Sequence, residues 1–154
     1  MNRSQIITEI KNYFKLQELV CPHVYRRYGE RAWQFLSTTF LHTLLIVRRD
    51  IIQNPMVCNN YHKGGLSGAR GLRCNMCNET QKHTAKGESY VSAHIAGEGA
   101  DFTLPGITAQ AARDKIAQQA NKLPYPIRLE RDVSWLHLDV YDSNNGQIIS
   151  YFSA

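Results

Sequence analysis

Ser92-Ala-His-Ile-Ala-Gly-Glu-Gly-Ala-Asp101 sets a histidine and an aspartate seven positions apart, with two glycines between them. Gly97 and Gly99 permit a tight reversal and close packing of backbone on backbone. The spacing therefore predicts a hairpin from Ser92 to Phe102, its strands falling in Tyr90 to His94 and Ala100 to Leu104, that brings His94 beside Asp101. Working outward, the C-terminal third also reads as β. Tyr125 to Glu130, Ser134 to Tyr141 and Gln147 to Phe152 are strand-like, and Ser143-Asn-Asn-Gly146 is a turn signal that predicts a hairpin between the last two. Within Trp135-Leu-His-Leu-Asp-Val140 the side chains alternate, so Leu136, Leu138 and Val140 are expected in the core while Trp135, His137 and Asp139 emerge on an open sheet face.

Upstream the period changes. Ser4 to Leu16 carries Ile6, Ile7, Ile10, Tyr13 and Phe14 at helical spacing with Ser4 as N-cap, and Thr38 to Ile52 repeats the pattern until Asn54-Pro55 stops it. Gly29 to Leu36 reads as a short helix with Trp33 and Phe35. Met56 to Tyr61 reads as a strand. Lys63 to Gly87 reads as a long polar loop, and loops of that size inside a domain tend to be functional; His62 and His83 are placed to line a cleft beside it. Thr108 caps a further helix running to Pro124.

The chain has 154 residues, 43% hydrophobic and 20% charged, enough for one domain over residues 1–154 with a core of its own. No apolar run is long enough to span a bilayer; the richest, Phe40 to Val47, is short and ends in Arg48, Arg49 and Asp50. The first residues lack a secretion signal, so the chain is expected in the cytoplasm after synthesis. A net charge of +5 and a pI near 9.1 suit an anionic partner such as a bacterial cell wall, a membrane face or nucleic acid. Without a basic run or a nucleic-acid-binding signature, nucleic acid is not expected.

Two imidazoles and a carboxylate, His94, Asp101 and His137, are a normal donor set for a catalytic zinc, which takes three protein ligands and leaves a position for water. The four cysteines read as thiols or metal ligands rather than disulfides. Cys74-Asn-Met-Cys77 has the spacing of half a zinc knuckle that either Cys21-x-His23 or Cys58 completes; buried free thiols and a redox pair are the alternatives.

Ser92-x-His94-x-x-Gly97-x-x-x-Asp101 followed by Trp135-x-His137 resembles the signature of the zinc D-Ala-D-Ala carboxypeptidase and L-alanyl-D-glutamate endopeptidase family, whose fold is shared by hedgehog signalling domains. The likeness covers roughly residues 54 to 140. With CPHVYRRYGERAW and GLRCNMC, the whole chain is similar to small peptidases of this family carried by bacteriophages and prophages. The resemblance implies an α+β fold, with a small antiparallel sheet carrying the zinc site and packed against N-terminal helices. It implies zinc on His94, Asp101 and His137, and a monomeric hydrolase of peptidoglycan peptides that reaches the wall through a membrane pore, as a phage lysis enzyme does. It also implies an arginine before the first ligand that holds the substrate; Gly-Leu-Arg favours Arg73, while Ser-Gly-x-Arg points to Arg70. Ser92 and Trp135 are the motif's substrate-side residues.

The family's general base lies three to six positions before the last histidine. Ser134 occupies the third, which leaves Glu130 as the base, with Asp132 as the other acid in range. Gly99 stands where the family commonly has alanine, which reads as a mild steric departure. Because hedgehog relatives use the fold without hydrolysis, a non-catalytic zinc domain that binds wall peptides or serves in a phage particle is the alternative.

Overall fold

The computed structural model of the protein describes residues 1–141 and 143–154. Its N-terminal half is helical: α1 (Arg3–Ile10), α2 (Leu16–Leu19), α3 (Pro22–Tyr28) and α4 (Thr38–Ile46), with a 3-10 segment, Gly29–Phe35, before α4. Asn2, not Ser4, caps α1: its side chain accepts from Gln5 N, and Gln5 reciprocates on Asn2 N. Ser37 caps α4 through Phe40 N. The apolar run in α4 buries Phe40, Leu41, Leu44 and Leu45, making it the central helix against which α1 packs. The helical period continues beyond α4 as a π-helical turn, Val47–Ile52, which stops where Gln53 takes a left-handed φ of 57°.

The strand expected at Met56 to Tyr61 is reduced to one bridge, Val57 to Thr103. The long polar segment holds a helix, α5 (Asn78–Ala85). Thr108 caps α6 (Ala109–Gln118) through Ala111 N, as its sequence predicts.

Four short strands, β1 (Gly99–Phe102), β2 (Ile127–Glu130), β3 (Leu136–Asp139) and β4 (Ile149–Phe152), form one sheet in the order β1-β3-β2-β4. The fold is α+β, but the sheet is mixed rather than antiparallel: β1 and β2 flank β3 antiparallel, and β4 pairs parallel with β2. The reason is occupancy. The turn at Ser143 to Gly146 reverses the chain, but both edges of β3 are taken, so β4 passes to the free edge of β2. Leu136 and Leu138 face the same core as Phe102 and α6, in a cluster continuous with the helices. The opposite face of β3 is not open, because His137 and Asp139 are buried beneath the segment that precedes β1 and beside β4. No helix among the described residues is long and apolar enough to cross a membrane.

Candidate metal centre

His94 does not lie on a strand. Residues 92 to 98 form a compact turn in which Ala96 N donates to Ser92 O, Gly97 N to His94 O and Glu98 N to Ala93 O. Gly97 makes the turn possible: its φ is +69°, Ser37 N donates to its carbonyl, and a side chain there would overlap the Phe35 carbonyl. The chain then enters β1, whose register sets Asp101 opposite His137 and Gly99 opposite Asp139. At position 99 the mild-departure reading needs correcting. A Cβ on Gly99 would stand 2.7 Å from Cβ of Asp139 and 3.0 Å from that of Ala93, so glycine leaves the room in which Asp139 sits.

The two histidines and the aspartate therefore meet. One donor atom from each of His94, Asp101 and His137 lies within 4.8 Å of the others. His94 Nε2 is 3.4 Å from Asp101 Oδ2, and His137 Nδ1 is 2.7 Å from Asp101 Oδ1. The outer nitrogen of each ring is held from behind. His94 Nδ1–H donates to the Gly71 carbonyl at 2.9 Å, which turns Nε2 inward toward Asp101. His137 Nε2–H donates to Asp139 Oδ2 at 2.8 Å, leaving Nδ1 to face the other donors. Asp139 is fixed in turn by Arg128 on β2, which donates from Nε at 2.9 Å and from Nη2 at 2.8 Å. The Arg128 guanidinium lies against the rings of Phe152 and Tyr141, at 4.6 and 5.0 Å.

The cluster favours positive charge. Burial alone would raise the Asp101 carboxyl, but hydrogen bonds from His137 and His94 hold it well below the usual carboxylate range. Burial would likewise lower His137, yet Asp101 and Asp139 outweigh it and raise the imidazole to about 9. Burial also works against ionised Asp139, and His137 with Arg128 keeps it ionised. Two imidazoles and a carboxylate with ordered outer partners suit a divalent cation, which competes with the His137 proton for the same place.

These groups line a cleft of roughly 460 Å³. Glu130 borders it, 7% exposed, and no hydrogen bond or ion pair among the described residues engages its carboxylate. The register of β2 on β3 pairs Arg128 with Asp139 and Leu129 with Leu138, so the next step along it sets Glu130 across from His137. Asp132 is exposed, in a left-handed turn of φ 60°, and does not border the cleft. Of the two arginines, Arg73 faces the cleft: its Nη2 is 3.7 Å from Asp101 Oδ2 and its Nε donates to Ala69 O at 2.6 Å. Arg70 turns away to Thr103 Oγ1 at 2.9 Å and contributes only its carbonyl, which accepts from Asp101 N. Ser92 and the half-exposed Trp135 are on the rim. His62 and His83 are not, although His83 stacks at 3.8 Å on Tyr90, which is.

Sequence reasoning missed Arg128 and Arg113. Arg128 was findable: it stands two residues before Glu130, hence on the same strand face. Arg113 on α6 was not, since it reads as one more polar residue on an amphipathic helix. It donates to the carbonyls of Glu130, Val133 and Trp135, each at 3.2 Å, and so ties down the β2–β3 connection.

A second convergence lies outside the cleft. Cys21, His23, Cys74 and Cys77 bring one donor each to within 4.8 Å of one another and can hold a metal ion. Cys58, fully buried elsewhere, is not among them.

Comparison of the chain with known protein families, with curated proteins and with solved structures finds no match. The functional reading therefore rests on residues and geometry.

Proposed function

We propose that this protein is a zinc-dependent peptidase that hydrolyses peptide bonds in bacterial peptidoglycan, as a D-Ala-D-Ala carboxypeptidase or an L-Ala-D-Glu endopeptidase, in the manner of a phage lysis enzyme. The observation that carries the reading is the convergence of His94, Asp101 and His137 at the base of a cleft that Glu130 and Arg73 also border. Three protein donors leave room in a four-coordinate ion for solvent and substrate. The ion's contribution when bound is to acidify water and polarise the scissile carbonyl.

The chain's own groups supply the rest. Glu130, screened from solvent and with its carboxylate unpaired among the described residues, takes the proton of the attacking water and returns it to the leaving amine. Arg73 presents its fork of donors to the substrate carboxylate or to the oxyanion that forms at the attacked carbonyl. Asp139 and Arg128 hold the His137 ring so that Nδ1 points at Asp101 and His94. Trp135 offers an apolar surface at the rim for the peptide stem.

Incubation of purified sacculi with the protein should release new amino groups, and a chelator should abolish the release. Absence of metal-dependent release ends this reading. One observation favours the alternative of a non-catalytic zinc domain that binds wall peptides: exposed Ser134 stands where the tight form of the motif has its acid. Saturable sacculus binding without cleavage selects that alternative.

A further inference from the structure

We propose that Cys21, His23, Cys74 and Cys77 form a second, structural zinc site that fastens the polar segment carrying Arg73 to the N-terminal helices. The four donors come from two places far apart in sequence, Cys-x-His at the start of α3 and Cys-x-x-Cys before α5, and the fold brings one atom of each to within reach of a single ion.

The spacing fits an ion. His23 Nδ1 is 3.7 Å from Cys74 Sγ and 3.8 Å from Cys77 Sγ. A tetrahedral ion with bonds of about 2.3 Å to sulfur and 2.05 Å to nitrogen requires a sulfur–nitrogen edge of roughly 3.6 Å. Three thiolates and an imidazole are soft donors that exclude magnesium, calcium and manganese and suit zinc. Four protein donors close the coordination sphere, which marks a structural rather than a catalytic ion and contrasts with the three donors of the cleft. The thiols are free although they lie close together.

The surroundings need such a clamp. Between positions 63 and 77 the only buried hydrophobic residues are Leu72 and Cys77, too little apolar contact to hold a segment of that length. Yet residues 71 to 73 form a strap threaded between two partners. Leu72 N donates to Leu19 O at 2.8 Å, Cys21 N donates to Leu72 O at 3.0 Å, and Arg73 N donates to His94 O at 3.1 Å. Cys74, the next residue, continues the strap into the cluster. An ion there joins the strap to Cys21 and His23, and through Arg73 N the strap also abuts His94.

Cobalt substitution of the full chain tests the assignment separately from the peptidase reading, because the cleft site has no sulfur. Cobalt-loaded protein should show intense thiolate-to-cobalt charge-transfer bands in the near ultraviolet. Cys77→His, which keeps four donors, should weaken those bands by about a third, as one thiolate in three is lost. An Asp101→Asn protein, impaired only in the cleft, should retain one equivalent of zinc, and removing that zinc should raise amide hydrogen exchange across residues 60–77. Cobalt protein without charge-transfer bands, or zinc-free Asp101→Asn protein with unchanged exchange across that segment, overturns the proposal. Bands that persist in a protein unable to cleave sacculi would instead count against the peptidase reading alone.

Discussion

Asp139 is fully buried, accepts from His137 on one oxygen and is gripped by Arg128 on both, so it sets the orientation of the His137 ring. Asp139→Asn offers His137 the wrong partner on one side and weakens the Arg128 pair. It should reduce zinc affinity at the cleft by about 10–100-fold, the usual cost of removing such an outer partner, as read by competition with a metal indicator. Gly99→Ala acts on the same carboxylate by crowding. With Asp139 Cβ only 2.7 Å from the new methyl, overpacking should cost about 1–3 kcal/mol, measurable as a lower midpoint in urea. Glu130→Gln separates chemistry from binding. Hydrolysis should fall by about 10²–10⁴-fold, the usual worth of a positioned base, with zinc content unchanged, whereas exposed Asp132→Asn should leave both near wild type. An unaffected Glu130→Gln enzyme would remove Glu130 from the mechanism.

The elements that carry these residues are short, and their lengths explain what could be read in advance. α4 and α6 announce themselves because a helical apolar period needs only local sequence, and the Thr108 cap is a local device. β3 was legible from its alternation of Leu136 and Leu138 with His137 and Asp139. The partner of β4 was not, since the turn at Ser143 to Gly146 specifies a reversal but not which strand edge is vacant. The turn at 92–98 also escaped: two glycines fit a hairpin as well as they fit a compact turn, and the contact that selects the turn, Ser37 N on Gly97 O, comes from residues far away in sequence. Arg113 belongs to this scale, because one side chain of α6 satisfies three carbonyls of the connection that ends β2 and begins β3. Arg113→Met leaves those carbonyls without a donor. Charge-assisted hydrogen bonds of this kind contribute about 1.5–3 kcal/mol each and do not add fully, so a loss of about 2–4 kcal/mol in chemical denaturation is expected. Because Glu130 sits at the end of that connection, kcat should drop as well while zinc binding holds.

Across the whole molecule, the helical half and the sheet share one core, and each of the two donor clusters gathers residues from segments far apart in sequence. The meeting of His94, Asp101 and His137 was legible because their residue types and spacing are those of a metal-binding set. The fourfold cluster was half legible: Cys74-x-x-Cys77 gave two donors, and only the fold could choose Cys21 and His23 over Cys58. Their different donor sets imply different strengths, since three thiolates with an imidazole bind zinc more tightly than two imidazoles with a carboxylate. A chelator titration should therefore be biphasic. Sacculus hydrolysis should disappear first, with little change in melting temperature, as the cleft empties. The melting temperature should fall in a second step, together with the release of three thiols to a maleimide probe. An ion present at about a thousand times its dissociation constant stabilises the folded state by about 4 kcal/mol, which for a chain of this length is on the order of 10 °C. Loss of activity and of thermal stability in a single step would mean that the clusters do not bind independently, and that the strap running from His94 through Arg73 to Cys74 couples them.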